Sequence, residues 1–536
     1  MNGSIVQSLT QEPDRTEVSV NFTVKPFTHI FWTDTARIYG MRIAENVIWG
    51  LQNMSWEFQK KTVHQTGKLR ITCIDPEPGD MIRKNTEDIR YMNIRRIAAI
   101  WAAKTAGFIC KKMGRQGVTW AGKIALKIYP PVLKELASEV RKDIFVVCGT
   151  NGKTTTNNML CAALEAEGQK VVCNHTGSNM LNGVVAAFVL GAKLNGHMDA
   201  DYACIEADEA STKYIFPEIR PDYMVMTNLF RDQLDRYGEI DITMNILETM
   251  IKTVPDMKVI VNGDDALSAY LAMDSGNPCV FYGISQPVMK NDTNEIREGR
   301  FCKKCGEKLQ YSFYHYSQLG DYVCPKCGFK RPEPDFDAED VQVGDRLSFR
   351  VENRLISASY KGFYNVYNIL AAYAGVRTAG FSAEHFTDML KKFNPENGRM
   401  EQFRIQGTGV TLNLAKNPAG FNQNISAVMQ DTAPKDVIIA INDNAQDGID
   451  ISWLWDVDFD LFGGENIRSI TVSGIRCQDM RLRLKYVDIP SVLEPDVEKA
   501  IRDRIKDGTG NLYVLVNYTA LFATRNILKK LEGEQK

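Results

Sequence analysis

Short unbroken apolar runs recur along this chain, and most are followed by a stretch with helical spacing. Ile144–Cys148, Val171–Cys173, Tyr202–Ile205 and Val259–Val261 are too short and too continuous for amphipathic helices, so they read as strands buried on both faces. Alternation of such strands with helices predicts a parallel sheet covered by helices, an α/β fold. A polar, turn-rich region from Ser285 to about Pro334 breaks the rhythm, strands resume near Arg346 to Tyr360, and a helix runs through Asn368 to Ala379. Asn394-Pro395-Glu396-Asn397-Gly398 has the breakers of a domain linker. Beyond it, Val437–Ile441, Ile467–Val472 and Leu512–Val516 are strands of a second α/β domain. The expected division is an N-terminal extension over 1–91, a central domain over 92–394 and a C-terminal domain over 395–536.

The first 91 residues show only weak periodicity and suggest no role. Met92 changes the character and stands as an alternative start of translation. From there to Glu135 the pattern is helical, with Arg95, Arg96, Lys104, Lys111, Lys112, Arg115, Lys123 and Lys127 before any acidic residue. Core helices with solvated basic faces explain this, and so does a basic, apolar face resting on an anionic membrane.

At 536 residues the chain exceeds one compact core, so two to four domains are expected. A net charge of −2 argues against wholesale nucleic-acid binding, and 44% hydrophobic content without an apolar run of about 20 residues indicates a soluble globular protein. No basic-then-apolar leader is visible. The twelve cysteines include two C-x-x-C pairs, which fits thiols that are free or on metal in a reducing cytoplasm.

Ile144 to Thr156 joins a strand to a loop, Gly149-Thr150-Asn151-Gly152, and then to a helix start at Lys153. Glycines let the backbone turn tightly and aim N–H groups at an anion, while the helix adds its positive end. Lys153 is expected to meet outer phosphates and the Thr154 hydroxyl a magnesium ion, with Thr155 completing the turn. Val147 stands where the common Walker pattern has glycine.

Cys302-x-x-Cys305 and Cys324-x-x-Cys327 form two knuckles, each followed by a turn glycine, Gly306 and Gly328. Four thiolates close a tetrahedral zinc shell with no open position, so the expected metal is structural, in a ribbon inserted over about 298–332. The intervening QYSFYHYSQLGDYV carries no lysine or arginine and offers little to nucleic acid. His315 within it reads as a surface ring. Glu206, ending the strand Tyr202–Ile205, is placed to hold magnesium, whereas Asp208 and Glu209 read as a solvated acidic turn.

G-T-N-G-K-T-T resembles the phosphate loop of the Mur ligase superfamily, and further motifs from about Asp143 onwards carry the same likeness. Glu206 matches the superfamily's magnesium carboxylate. Thr227–Gly238 is similar to the segment with an Asp-His metal pair, but Gln233 replaces the histidine, and the position of the carbamylated lysine falls at Leu247. Asp232 and Asp235 are candidates to compensate. Asn262–Asp265 resembles the N-x-D-D turn, and Gly362–Ala372 the helix start whose Asn365 and Asn368 face the nucleotide; Arg399-Met400-Glu401 matches the start of the mobile C-terminal domain. Asn413-Leu414-Ala415-Lys416-Asn417-Pro418 stands where amino-acid ligases have D-Y-A-H-N-P, and Ile441–Phe459 resembles the D-N-x-A-D-G-x-D-x-S-W segment of the MurT family.

That resemblance implies a Mur-ligase-type P-loop ATPase domain with an inserted four-cysteine zinc ribbon, then a Rossmann-like C-terminal domain. It implies ATP, Mg²⁺ and Zn²⁺, and ATP-dependent amidation of the D-glutamate α-carboxylate of the lipid II stem peptide through an acyl phosphate. Ammonia comes from a GatD-type glutaminase partner, since this chain shows no cysteine–histidine pair of its own; Cys477 and His385 read as structural. Lys153 and Glu206 would serve the phosphoryl transfer, with Gly149 to Thr155, Asn365, Asn368 and Arg399 binding nucleotide. Asp443 or Asp447 would face the glutaminase. An amino-acid ligase of the Mur or folylpolyglutamate type is the alternative, and a cytoplasmic place at the inner membrane face is expected.

Overall fold

The computed structural model describes the strands at residues 5–12, 15–22, 57–63 and 68–74, and residues 94–534 apart from 111–117, 233–238, 289–297, 345, 360–361, 394–397, 445, 464–465 and 507–509. The chain divides into two compact units, residues 1–95 and 96–536. In the first, β1 (Ile5–Glu12), β2 (Arg15–Phe22), β3 (Glu57–Val63) and β4 (Lys68–Ile74) form an antiparallel sheet in the order β1-β2-β4-β3.

The second unit contains a seven-stranded sheet of β5 (Ile144–Cys148), β6 (Val171–Cys173), β7 (Tyr202–Glu206), β8 (Tyr223–Met226), β9 (Lys258–Asn262), β10 (Cys279–Gly283) and a later strand, Phe336–Asp337. Its pairings are all parallel, and β5 lies between β7 and β8. Connections leave β5 in both directions, so the β5 C-terminal end is a topological switch point, where open α/β sheets hold ligands. Every residue of β5 and β7 is buried, as their continuous apolar runs require. Helices cover both faces: Val118–Ile128 packs on Leu181–Gly191, where a Cβ at Gly122 would collide with Asn182 O at 1.8 Å, and Lys153–Ala166 packs on Tyr364–Thr378.

The polar interruption folds as a hairpin of β11 (Gln310–Tyr316) and β12 (Leu319–Val323) carrying the cysteine knuckles, with the short β13 (Phe336–Asp337) returning to the main sheet. A three-stranded antiparallel sheet follows, β14 (Glu339–Val343), β15 (Leu347–Val351) and β16 (Arg354–Ala358). The expected linker 394–397 lies outside the described residues.

The last sheet runs β17 (Glu401–Ile405), β18 (Thr408–Leu414), β22 (Asn511–Val516), β19 (Lys435–Ala440), β20 (Ile467–Ser473), β21 (Val492–Leu493). It is mixed: β17 is antiparallel to β18, and the rest are parallel. The β17–β18 hairpin escaped the sequence pattern, because its alternating Glu401-Gln402-Phe403-Arg404-Ile405 half-buries an edge and forms no apolar run.

Candidate active site

At the end of β5 the chain makes two left-handed turns, Gly149 (φ +121°) and Gly152 (φ +86°), before the helix Lys153–Ala166 begins. Side chains are excluded there: a Cβ would lie 2.3 Å from Thr227 Oγ1 at Gly149 and 2.2 Å from Asn368 Oδ1 at Gly152. The segment after β8 holds the loop from beneath. Thr150 N donates to Asn228 O (2.8 Å), Asn151 N to Asn228 Oδ1 (3.0 Å), and Thr227 Oγ1 to Asn151 O (2.7 Å). The N–H groups of the first helical turn, including Thr154 and Thr155, have no carbonyl partner four residues back, and a helix start of this kind suits an anion.

Lys153 is buried and curls back under the loop, donating to Gly149 O and to Glu209 Oε1 at 2.9 Å. Glu209 also accepts the Gly149 N–H at 2.7 Å. Glu209 and Asp208 are therefore not a solvated turn: both are 5% exposed, because the single 3-10 turn Glu209–Ser211 folds the acidic run back beneath β5. Burial opposes charge on Lys153, but Glu209, Asp208, Glu206 and Asp232 together outweigh it and raise its pKa. Burial, with Asp208, raises Glu209. One lysine faces a surplus of carboxylate, a field suited to a further cation.

Glu206 shows where that cation fits. Its Oε1 accepts from Asn179 Nδ2 at 3.0 Å, and Asn174 clamps its backbone with two bonds of 2.8 Å, but its Oε2 is buried with no partner. A Cβ on Gly177 would stand 3.4 Å from Glu206 Oε2 and 3.2 Å from Thr154 Oγ1, so these oxygens converge on one small space beside the loop. Two hard oxygen donors there fit Mg²⁺. Leu247, at the expected lysine position, is fully buried in the helix Ile240–Lys252; Gln233 and Asp235 lie outside the described residues.

A cleft opens over the loop, lined among others by Asn151, Thr155, Asn365, Asn368, Arg399 and Lys416. Asn368 Nδ2 donates to Asn365 Oδ1 (3.0 Å), fixing both amides in the first turns of the helix Tyr364–Thr378. Burial lowers the pKa of Arg399. From the far side of the cleft, Lys416 pairs with Asp232 at 2.6 Å, and Asn417 exchanges side-chain amide bonds with Asn151. Asn151, Gly152 and Thr155 of the loop share this lining with Asn365, Asn368 and Arg399. Glu206 lies outside the lining but acts electrostatically on Arg399, and Asp443 and Asp447 are absent from it.

Residues 147–376 match the Mur ligase middle domain family, and residues 414–521 match the MurT ligase C-terminal family. The chain is 36% identical over 430 residues to the lipid II isoglutaminyl synthase (glutamine-hydrolyzing) subunit MurT of Staphylococcus aureus (strain N315), covering 80% of this chain and 96% of that one. With the same subunit of Streptococcus pneumoniae (strain ATCC BAA-255 / R6) it shares 33% identity, covering 82% and 98%. The chain belongs to the MurT family. Its fold is that of a pseudomurein peptide ligase type C from Methanothermus fervidus (TM-score 0.59, 23% identity, 74% of this chain and 80% of that one) and of MurF from Acinetobacter baumannii (TM-score 0.54, 14% identity, 76% and 80%).

In this MurT-family chain the two aspartates of the Ile441–Phe459 segment differ in setting. Asp447 is buried, accepting from Thr519 N at 2.7 Å and from the Thr519 hydroxyl, and burial raises its pKa. Asp443 is partly exposed and pairs with Arg476 at 2.8 Å, next to the exposed Ile475.

The four knot cysteines have ligand atoms all within 4.8 Å of one another, with Cys302–Cys327 and Cys305–Cys324 sulfurs 3.5 and 3.4 Å apart. A tetrahedral shell with Zn–S near 2.3 Å needs S···S of about 3.8 Å, so the arrangement fits zinc. Gly306 and Gly328 take the positive φ the knuckle turns require, +74° and +73°. His315 is not a surface ring. It is fully buried, with Nδ1 2.6 Å from the Tyr367 hydroxyl and its ring against Phe363, because the hairpin lays that face on the helix Tyr364–Thr378. Gln318, at the hairpin tip, donates to Asp265 Oδ1 and Leu229 O, both at 2.7 Å, tying the ribbon to the segment that supports the phosphate loop.

Proposed function

We propose that this chain is the carboxylate-activating subunit of a lipid II isoglutaminyl synthase, amidating the D-glutamate α-carboxylate of the stem peptide with ammonia from a GatD-type glutaminase. The observation that carries the reading is the surplus of buried carboxylate around the phosphate loop, with the unpartnered Glu206 Oε2 and the Thr154 hydroxyl both bordering the space beside Gly177. A carboxylate resists a neutral amine until one oxygen becomes a leaving group. The γ-phosphoryl of ATP passes to the α-carboxylate, ammonia displaces phosphate from the acyl phosphate, and the products are amide, ADP and phosphate. Bound Mg²⁺ would neutralise charge on the transferring group.

The chain's own residues orient and hold. Amides of Gly152 to Thr155 bind the phosphates, Lys153 fixes the loop through Gly149 O and Glu209, and Asn365 and Asn368 meet the nucleoside. Arg399 faces the charge that develops on the acyl phosphate. Loss of the Asp and His of the amino-acid ligases, with Asn413 and Lys416 in that stretch, favours ammonia over an amino acid as nucleophile. We assign Asp443 to the glutaminase side because it is partly exposed beside the exposed Ile475, while Asp447 is buried and committed to Thr519. The four thiolates hold structural Zn²⁺.

Among the described residues no helix is long and apolar enough to cross a membrane. A cytoplasmic enzyme acting on a lipid-linked substrate nevertheless needs a membrane-side face. Ala98, Trp101, Thr105 and Phe108 form an exposed stripe on the helix ending at residue 110, flanked by exposed Trp120, Lys123 and Lys127. That face suits an anionic bilayer surface.

The test supplies the purified chain with its glutaminase, lipid II and Mg²⁺-ATP. ADP release and loss of one carboxylate are expected, with ammonium replacing glutamine. Turnover that requires an added amino acid instead would favour the amino-acid ligase reading.

A further inference from the structure

Behind the phosphate loop lies a second group of metal-ligand side chains that the nucleotide site does not use. Cys173 at the end of β6 and Cys204 on β7 are register partners, and the helix Lys153–Ala166 lays Cys161 over the same face of the sheet. All three are free thiols. Packed cysteines of this kind are ordinarily small apolar fillers. The cluster goes further, because the exposed His175 brings a ring nitrogen to it. One ligand atom from each of Cys161, Cys173 and His175 lies within 4.8 Å of the others. Zn–S near 2.3 Å and Zn–N near 2.0 Å would require closure by about 1 Å, within reach of a loop side chain.

One buried amide beside the cluster is only partly satisfied. Asn157 is fully buried; its Nδ2 donates to Cys173 Sγ (3.2 Å) and Asn174 Oδ1 (3.3 Å), yet its Oδ1 has no partner. Cys173 Sγ in turn lies 3.7 Å from Asn158 Oδ1, so two amides flank the sulfur. Two thiols and an imidazole are soft and borderline donors, which select zinc-class ions over magnesium or calcium. The half-buried Cys173 and exposed His175 leave the site open to solvent.

We propose that Cys161, Cys173 and His175 form a second binding site for a thiophilic divalent cation of the Zn²⁺ class, separate from the four-cysteine knot. Binding releases the two thiol protons to solvent and uses neutral imidazole, leaving the fourth position to water. The site is mechanically joined to the magnesium position. Asn174, next to Cys173, clamps the Glu206 backbone, and Gly177, two residues after His175, closes over Thr154 Oγ1 and Glu206 Oε2. Occupancy therefore fixes residues 174–178 and tightens the magnesium–nucleotide site.

The test counts metal per chain after the intact protein is equilibrated with Zn²⁺ and gel-filtered. His175→Ala and Cys173→Ser should each lose one equivalent relative to the unaltered chain; His175 is exposed, so its variant is expected to fold. Equal metal content in all three overturns the site. A second readout uses Co²⁺ in place of zinc, with part of the sulfur-to-cobalt absorption lost in Cys173→Ser; an unchanged spectrum would likewise overturn it. The link to magnesium is read by fluorescent ADP binding without turnover. His175→Ala should need several-fold more Mg²⁺ for half-saturation, and equal demand removes the coupling while leaving the metal count to decide the site.

Discussion

Asn417 and Asn151 exchange two side-chain amide bonds, 3.0 and 3.3 Å long, so the C-terminal domain holds the tip of the phosphate loop directly. Asn417 also caps the helix Pro418–Met429 by accepting from Gly420 N at 2.8 Å. Asn417→Asp keeps the cap acceptor but loses the donor and faces Asp232 and the nucleotide with a new charge. Because Asn417 is buried and 3.5 Å from Asp232, the new carboxylate should cost on the order of 1–3 kcal/mol or more of folding stability, and nucleotide affinity falls as well. Asn417→Ala should lose about 1 kcal/mol with the cap. Denaturant midpoints and nucleotide titrations separate the two, and unchanged affinity in the Asp variant would remove the contact from the binding account.

The Lys153–Glu209 pair predicts a rescue. Lys153→Met leaves Glu209 buried without its cation, holding only backbone N–H donors such as that of Gly149, a loss of up to about 3–5 kcal/mol, moderated because a carboxylate already raised by burial can take a proton. Adding Glu209→Gln removes the stranded charge and keeps an acceptor for Gly149, so the double variant should be more stable than Lys153→Met alone. Neither should turn over ATP. A double variant as unstable as the single one would mean that the lysine's packing, not its charge, carries the effect.

The strands and the phosphate loop were readable because buried parallel strands are continuous apolar runs and the loop's glycines are forced by close approach: Gly149 meets Thr227, and Gly152 meets Asn368. The knuckle spacing was readable for a similar local reason. What escaped depends on distant partners. Glu209 looks like any acidic turn residue until Lys153, 56 positions away, is seen beneath it. His315 read as a surface ring because the four cysteines already complete a metal shell without it, and only the docking of the hairpin on Tyr367 and Phe363 buries it. A carboxylate next to a magnesium candidate and a lysine in a phosphate loop were the available hint for Glu209.

Asp443 and Asp447 should separate function from stability. The Thr519 hydroxyl accepts from Asn442 and Asn444 (3.2 and 2.9 Å), so its proton is committed to Asp447. Asp447→Asn aims a third donor at that hydroxyl and orphans its proton, costing about 1–3 kcal/mol. Asp443→Asn breaks a partly exposed pair worth about 0–1 kcal/mol, and should leave the fold intact while glutamine hydrolysis by the partner drops. Hydrolysis that survives Asp443→Asn but not Asp447→Asn, at matched stability, would reverse the assignment.

The cysteine ribbon should matter to the nucleotide site although it is remote from it in sequence. Gln318 joins them: its amide donates to Asp265 and Leu229 O, its oxygen accepts from Gly299 N at 2.8 Å, and Asp265 in turn accepts the Leu229 N–H at 2.8 Å. Leu229 follows Asn228, which holds the loop amides of Thr150 and Asn151. Gln318→Leu leaves the four thiols untouched, so the ribbon's metal should stay bound. It strips buried partners from Asp265, Leu229 and Gly299, about 1–3 kcal/mol for each group left unpaired and not additive between neighbours. Nucleotide affinity should fall with it. Cys327→Ser, at the exposed corner of the knot, should lose the metal and weaken nucleotide binding in the same direction. If metal leaves and nucleotide affinity does not move in either variant, the ribbon is a separate module and the route through Gln318 carries no coupling.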